Sequence, residues 1–426
     1  MKTNSVEKGW ITENQAREIA ENFGTPVYAY SQKILEEQAD KALNFPNAYG
    51  LTVRYAMKAN PNNNIIRIFT NKGIRIDASS GYEVLRSIRA GIPPSKILLT
   101  SQEIPSDLEQ LVGLGVNYNA CSLNQLQEYG KLNPCTAVTV RINPGTGSGS
   151  TNRTNVGGPS SSFGIWHENF EDILSIAKKY SLEIKRMHTH IGSGSDPKVW
   201  QEVARKSLDY AKKLIDAKHD VKILNLGGGF KVARMDDEKG TDLQECGAPI
   251  KEAFADFYNT TGKKLRLEIE PGTFLVANAG VLLAKVTDVV STSSYDFIKI
   301  NSGMTEVTRP CLYGAQHPIA VIPKNPDEKR GTKKYIVAGH CCESGDILTP
   351  APSNPEELMP REMTEAKIGD IVVIGGAGAY CSGMSTKNYN SFPEAAEVLI
   401  CNDGKIKGIR ERQSLDQIII NELKII

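Results

Sequence analysis

From Leu51 onward the chain alternates between a short β-branched run and a stretch of helical period, and this rhythm constrains its fold more than any other feature. The runs are LTVRYA from Leu51, GIRIDA from Gly73, KILLT from Lys96, VNYNA from Val116, TAVTVRIN from Thr136, EIKRMHTHI from Glu183, VKILNL from Val221 and KLRLEIE from Lys264. All but the last lead toward a helical stretch, such as SGYEVLRSIRAG, SLNQLQEYGKL or VWQEVARKSLDYAKKLIDA. Strands that alternate with helices line up as a parallel sheet. Eight such units in roughly 220 residues predict an α/β fold, a TIM (β/α)8 barrel. Period alone cannot show closure, so an open doubly wound sheet stands as the alternative.

After about residue 280 the rhythm changes. VLLAKVTDVVSTSSYDFIKIN, HPIAVIP, KKYIVAGH, GDIVVIG and AAEVLICNDGKIKGIRER follow with hardly any helix between them. They predict a second all-β domain over residues 281–426, joined by residues 1–30, with the barrel over 31–280. A Gly/Ser/Asn-rich loop at 144–164 interrupts the barrel, and long loops inside compact domains are more often functional than accidental. Fifty basic against 49 acidic residues leave a net charge of +1, without the basic excess that phosphate backbones attract. A signal-like N-terminus and an apolar run of about 18 residues are both missing, so no membrane partner is expected. Eight scattered cysteines without a CxxC pair suggest neither a disulfide framework nor zinc, but a reducing cytoplasm. Cys121, Cys135, Cys246, Cys311, Cys381 and Cys401 read as buried small hydrophobes, which sets apart the adjacent pair Cys341–Cys342.

Barrels of this kind carry functional residues at the C-terminal ends of their strands. That rim holds Lys58, Asp77, Arg141, His190, the run Gly227–Gly228–Gly229, and Glu270. A lysine desolvated in the apolar context of YAMKAN would have a lowered pKa and could form a Schiff base. Three glycines let backbone N–H groups approach an anion, commonly phosphate. Glu270 beside a pyridine ring would keep its nitrogen protonated, and His190 could stack on that ring, with His188 the core histidine next to it. Together these describe a pyridoxal 5'-phosphate site. No His/Cys/Asp set has metal-ligand spacing, no GxSxG elbow is present, and the Rossmann fingerprint is missing after the first strand. In the β domain, Arg309 and Tyr313 of RPCLYGAQHP, Cys342 and Glu343 of CCESGD, and Tyr380 of GAYCSGM stand among turn-forming residues and suit the charges of an amino acid.

YAMKAN, IDASSGYE, HTHIGSG, LGGGF, EIEPG, RPCLYGAQHP, CCESGD and GAYCSGM, in this order from about Pro26 to Val398, resemble the fold-type III pyridoxal phosphate-dependent decarboxylases. The resemblance implies a barrel that holds the cofactor and a homodimer with shared active sites. By motif, Lys58 would carry pyridoxal 5'-phosphate and His190 would stack on it. Ser193 and Gly227–Gly229 would bind the phosphate, Glu270 would pair with the ring nitrogen, and Gly272 of EPG would be a further cofactor contact. Asp77, Arg141 and Tyr380 complete the expected cofactor contacts. Arg309, Tyr313, Tyr380, Glu343 and the Thr273 position would meet the substrate. Cys342, which directly precedes the Glu, would reach in from the partner subunit together with Glu343, and Cys342 or Lys58 would protonate the carbon that loses CO2. The expected reaction is decarboxylation of meso-2,6-diaminopimelate at its D-centre to L-lysine.

The sequence departs from the family pattern at several cations. Thr273 stands where the family has the arginine of Glu-Pro-Gly-Arg, Phe392 and Glu394 replace two arginines, and Ser162 replaces a lysine. A decarboxylase of D-lysine or D-ornithine, whose distal end is an amine, is therefore the alternative. A non-catalytic binding relative would lose Lys58 or Cys342, and both are present. An alanine-racemase-like isomerase shares the barrel, but CCESGD speaks for decarboxylation.

Overall fold

The computed structural model describes residues 10–147, 157–190, 192 and 196–425. The β-branched runs become eight strands: β1 (Leu51–Ala56), β2 (Arg75–Ala78), β3 (Ile97–Leu99), β4 (Asn117–Ala120), β5 (Ala137–Asn143), β6 (Glu183–His188), β7 (Ile223–Asn225) and β8 (Arg266–Ile269). Each pairs in parallel with its neighbours in the chain, and β8 returns to β1, with Leu267 opposite Leu51 and Ile269 opposite Val53. The sheet is closed, which removes the open-sheet alternative.

The strands are buried on both faces, as a parallel barrel under a ring of helices requires. Its interior is not wholly apolar. Arg54 of β1 and Arg186 of β6 approach the same oxygen, Glu268 Oε1 of β8, at 2.9 and 3.3 Å. Because β1 and β6 are not neighbours in the sheet, these side chains meet across the barrel interior. Several helices begin where a serine follows a strand: Ser80 and Ser122 each accept an N–H at 3.1 Å, from Glu83 and Gln125, and cap the helices Gly81–Arg89 and Leu123–Leu132. Among the described residues no helix is long and apolar enough to cross a membrane.

The barrel unit comprises Glu36–Val232 and Lys239–Leu275; Met1–Leu35, Ala233–Glu238 and Val276–Ile426 form the other unit. At the centre of the second unit lies the buried strand Val27–Ser31. It runs antiparallel to Gly280–Ser291, with Val27 opposite Leu283, and parallel to Ala396–Ile400, with Val27 opposite Ala396. Ile19, Val27, Ala29, Val281, Leu283, Val373 and Val398 belong to one apolar core there. The expectation of uniformly buried thiols fails at Cys135, which is exposed in a turn with φ 61°, and at the half-buried Cys311 and Cys401. Cys121, Cys246 and Cys381 are buried as expected.

Candidate active site

The mouth of the barrel gathers the side chains that follow or end its strands. Asn225, the last residue of β7, organises them. Its amide nitrogen donates to Glu268 Oε1 at 3.1 Å and, in a shorter contact, to Glu270 Oε1. Its oxygen accepts the Gly227 N–H at 2.8 Å. One side chain thus orients both the carboxylate after β8 and the glycine turn after β7. His188 completes the frame: its Nδ1 lies 2.7 Å from Asn119 Nδ2, and its Nε2 lies 3.4 Å from Glu270 Oε2. Because the Asn119 amide nitrogen can only donate, His188 accepts at Nδ1 and turns its Nε2 proton toward Glu270. Burial, reinforced by Arg141, His190 and Arg186, pushes its pKa well down and keeps the ring neutral.

The triple glycine is required by contact as well as by turn geometry. A Cβ at Gly227, where φ is +73°, would lie 2.6 Å from His190 Nδ1, and one at Gly228 would lie 2.1 Å from the Glu270 carbonyl oxygen. Gly272 packs behind the lysine turn, its missing Cβ 3.3 Å from the Cβ atoms of Ala56 and Ala59.

The electrostatics of the mouth follow from burial. Desolvation pushes the Glu270 carboxyl up, opposed by its bond from Asn225. Desolvation, with Glu270 close by, raises Asp77 well above the usual carboxylate range, although Lys58 works against it. Burial also acts to raise Glu268, yet Arg54 and Arg186 hold it below its ordinary value. Desolvation, then Arg141 and Lys58, push His190 well down. Among the described residues, Asp77 Oδ1, Arg141 Nη2 and His190 Nδ1 are buried here without a hydrogen-bond partner, as are His188 Nε2, Asn119 Oδ1 and Glu268 Oε2. Unsatisfied buried groups are rare, and a cluster of them marks a place built for a polar ligand. A donor, two ring-facing groups and a glycine turn that admits no Cβ fit a pyridine ring bearing a phosphate.

Lys58 sits in a single turn, Met57–Ala59, after β1, between buried Met57 and Ala59. It is itself exposed, so the desolvation expected from its apolar neighbours is not provided by them. Thr273 opens the short helix Thr273–Val276 and is half-buried. Ser193 lies outside the described residues. Ser162, at the position of the family lysine, accepts weakly from Gln102 Nε2 at 3.4 Å.

The second unit brings together another set. Arg309 begins the helix Arg309–Tyr313 and places its Nη1 2.8 Å from His317 Nε2, while His317 Nδ1 lies 2.8 Å from the Gly375 carbonyl. An arginine only donates, so the His317 proton is on Nδ1 and the ring is neutral; burial, then Arg309 and Arg234, push its pKa well down. Tyr313 and Tyr380 are half-buried, and Tyr380 has a φ of 55°, a left-handed conformation unusual for an aromatic residue. Cys342 and Glu343 are both exposed. The Cys342 N–H donates to Asn390 Oδ1 at 2.8 Å, and Glu343 Oε1 accepts from the Gly345 N–H at 3.0 Å. Cys341 differs: its N–H is held by Asp346 at 3.0 Å, and burial, aided by Asp346, pushes its thiol up to about 12. Two positions where the family has arginine are locally rebuilt. Phe392 stacks on His340 with ring centroids 3.6 Å apart, and Glu394 pairs with Lys387 at 2.8 Å and Arg410 at 3.1 Å.

Sequence reasoning overlooked Asn225, His317 and Arg234. Asn225 directly precedes LGGG, and a polar side chain at the end of a buried strand was the available signal. His317 lies inside RPCLYGAQHP, but nothing local says that its ring meets Arg309.

The family described as "Pyridoxal-dependent decarboxylase, pyridoxal binding domain" matches residues 32–277, which makes the chain a member of the pyridoxal-dependent decarboxylases. The diaminopimelate decarboxylase of Escherichia coli K12 is 33% identical over 426 residues, covering 98% of each chain. A crystal structure of a diaminopimelate decarboxylase superposes with a TM-score of 0.90 at 31% identity over 97% of both chains. That of the Helicobacter pylori enzyme complexed with L-lysine superposes with a TM-score of 0.84 at 28% identity, covering 95% of this chain and 98% of that one. The chain belongs to the diaminopimelate decarboxylase family.

Proposed function

We propose that the chain decarboxylates meso-2,6-diaminopimelate at its D-configured carbon, giving L-lysine and CO2, with pyridoxal 5'-phosphate as cofactor. The observation that carries this reading is the Asn225 amide, which serves Glu270 with its nitrogen and the Gly227 N–H with its oxygen. It ties a carboxylate suited to a protonated ring nitrogen to a turn suited to a phosphate. The unpartnered atoms of Asp77, Arg141 and His190 support the same ligand.

When bound, the cofactor supplies the electron sink for the pair left by departing CO2. Lys58 holds it covalently, and Glu270, fixed by Asn225 and His188, keeps the ring nitrogen protonated. His190 covers the ring face. Gly227–Gly229, Ser193 and Gly272 take the phosphate, with Asp77, Arg141 and Tyr380 as further contacts. Arg309, Tyr313, Tyr380, Glu343 and Thr273 meet the substrate. Cys342 Sγ gives its proton to the carbon that has lost CO2. Its exposure, with that of Glu343, supports a homodimer in which this turn serves the other subunit's barrel. Mixing inactive Lys58→Ala and Cys342→Ala proteins then restores activity through mixed dimers; no recovery argues against shared sites. Eight free cysteines fit a cytoplasmic enzyme.

One observation favours a second reading. Thr273 removes a cation from the site, which suits D-lysine or D-ornithine, whose distal end is an amine. CO2 release from meso-diaminopimelate, D-lysine, D-ornithine and L-ornithine, measured in parallel on cofactor-loaded protein, decides. A lead for meso-diaminopimelate supports the first reading, and a lead for either D-amino acid replaces it with the second.

A further inference from the structure

We propose that Arg234 is a substrate-binding residue of this chain, a cation for the distal carboxylate that supplies the charge missing at Thr273. The inference rests on the reading of the chain as a decarboxylase of a diamino dicarboxylic acid, and it makes the specificity of that site explicit.

Arg234 lies in Ala233–Glu238, a short stretch that follows the barrel's glycine turn in sequence but belongs to the β-rich unit. Its residue is 8% exposed. The side chain is held in place rather than loosely folded over. Its Nε donates to the Gly376 carbonyl at 3.1 Å, and a Cβ at Gly376 would lie 2.9 Å from its Cγ and Cδ. Gly376, with φ +61°, therefore makes the groove in which the arginine stem lies.

The charged end is left without an anion. Arg234 Nη2 is buried and has no hydrogen-bond partner. The nearby carboxylate of Glu238 is occupied by backbone, accepting the N–H groups of Arg234 at 2.7 Å and Met235 at 3.2 Å. Among the described residues no carboxylate lies within ion-pair distance of Arg234 or Arg309. Burial, then repulsion from the Arg309 guanidinium, lowers Arg234 to about 9. Two further neighbours are neutral at pH 7. His317 is fixed as the Nδ1–H tautomer between Arg309 and Gly375, and burial pushes the Cys381 thiol up to about 11.

A buried cation beside a half-buried one, with no carboxylate paired to either, is costly unless an anion joins them. A planar carboxylate matches the free guanidinium nitrogens, whereas an ammonium would be repelled. The same pair that welcomes a distal carboxylate therefore disfavours D-lysine and D-ornithine, so Thr273 is a displaced contact and not a changed substrate.

The experiment uses the holoenzyme and three measurements on Arg234→Gln and Arg234→Lys: steady-state kinetics with meso-diaminopimelate, calorimetric binding of pimelate (the same dicarboxylate without amines), and thermal melting. Arg234→Gln is expected to raise KM about tenfold or more and to weaken pimelate by a similar factor, as the loss of a charged hydrogen bond requires. Its kcat should stay within about twofold, the pattern of lost uniform binding. Arg234→Lys should recover part of both. Unchanged KM and pimelate affinity in Arg234→Gln, or a fall in kcat at constant KM, overturns the inference. If Arg234→Gln does not fold, Arg234→Lys carries the test: the lost fork geometry must weaken pimelate, and equal affinity refutes the role. If the wild-type protein does not turn over meso-diaminopimelate, the proposed function falls, and pimelate binding alone still decides the assignment of Arg234.

Discussion

Replacing Asn225 by Asp isolates one nitrogen atom. The side chain keeps its shape and the oxygen that accepts the Gly227 N–H, but the nitrogen that serves Glu268 and Glu270 becomes an oxygen. Two hydrogen bonds to carboxylates are lost, each worth about 1.5–3 kcal/mol. A third carboxyl also enters beside two that are already buried. The combined loss is about 3–6 kcal/mol if nothing else adjusts. A proton on the new cluster relieves part of it and becomes less available by about 1.4 kcal/mol per pH unit. The folded variant therefore holds a proton that the unfolded chain releases above about pH 4. Its deficit relative to wild type is then smallest near the unfolded-state pKa. It grows as pH rises through the elevated folded-state value and is complete above it. Thermal melts of both proteins at pH 5 and pH 8, with pyridoxal phosphate titrated by fluorescence quenching, measure this. The expected result is a larger melting deficit at pH 8 and at least tenfold weaker cofactor binding. Equal stability and affinity, or a deficit independent of pH, refutes the organising role of Asn225.

Lys58→Ala should bind no cofactor covalently, so the purified protein lacks the visible absorption band and turnover; an intact band would move the attachment elsewhere. Cys342→Ala should slow turnover far more than Cys341→Ala, and iodoacetamide at pH 8 should label Cys342 before Cys341, whose thiol is raised to about 12; the reverse order in either assay means the wrong cysteine was chosen. Glu306, 1% exposed, has its carboxyl pushed up to about 7 by burial, so wild type loses stability as pH rises from about 4 through 7. Glu306→Gln removes that loss and should be more stable at pH 8 by up to about 3 kcal/mol, with the gain vanishing near pH 4.5; denaturant melts with no pH-dependent difference would contradict the shift.

The barrel was legible because its strands are largely buried and most read as short apolar or β-branched runs, and because Ser80 and Ser122 mark the helix starts with their own hydrogen bonds. The rim residues were legible for a related reason: Asp77, Arg141 and Glu270 interrupt apolar strands at their ends, where a charge needs an explanation. What stayed hidden depends on contacts between distant segments. The tautomer of His317 is decided by Arg309 and Gly375, and Arg234 lies in the stretch Ala233–Glu238 of the β-rich unit although the segments on either side of that stretch belong to the barrel. The exposure of Lys58 is equally invisible in sequence, since its immediate neighbours Met57 and Ala59 are buried and suggest the opposite. The turn at Cys342 could be read from its polar flanks, whereas the different state of Cys341 required seeing Asp346 beside it.

The central position of Val27–Ser31 bears on how the chain emerges from the ribosome. This strand precedes its antiparallel partner around Leu283 by about 250 residues, and its parallel partner at Ala396 comes later still. At translation rates of about 5–20 residues per second, its edges wait on the order of ten seconds to a minute for partners. During that time the barrel strands are synthesised, the last of them pairing back to β1 across about 215 residues. A chain stalled before residue 283 lacks both partners of this strand and leaves it as an apolar, unpaired segment that a chaperone would need to shield.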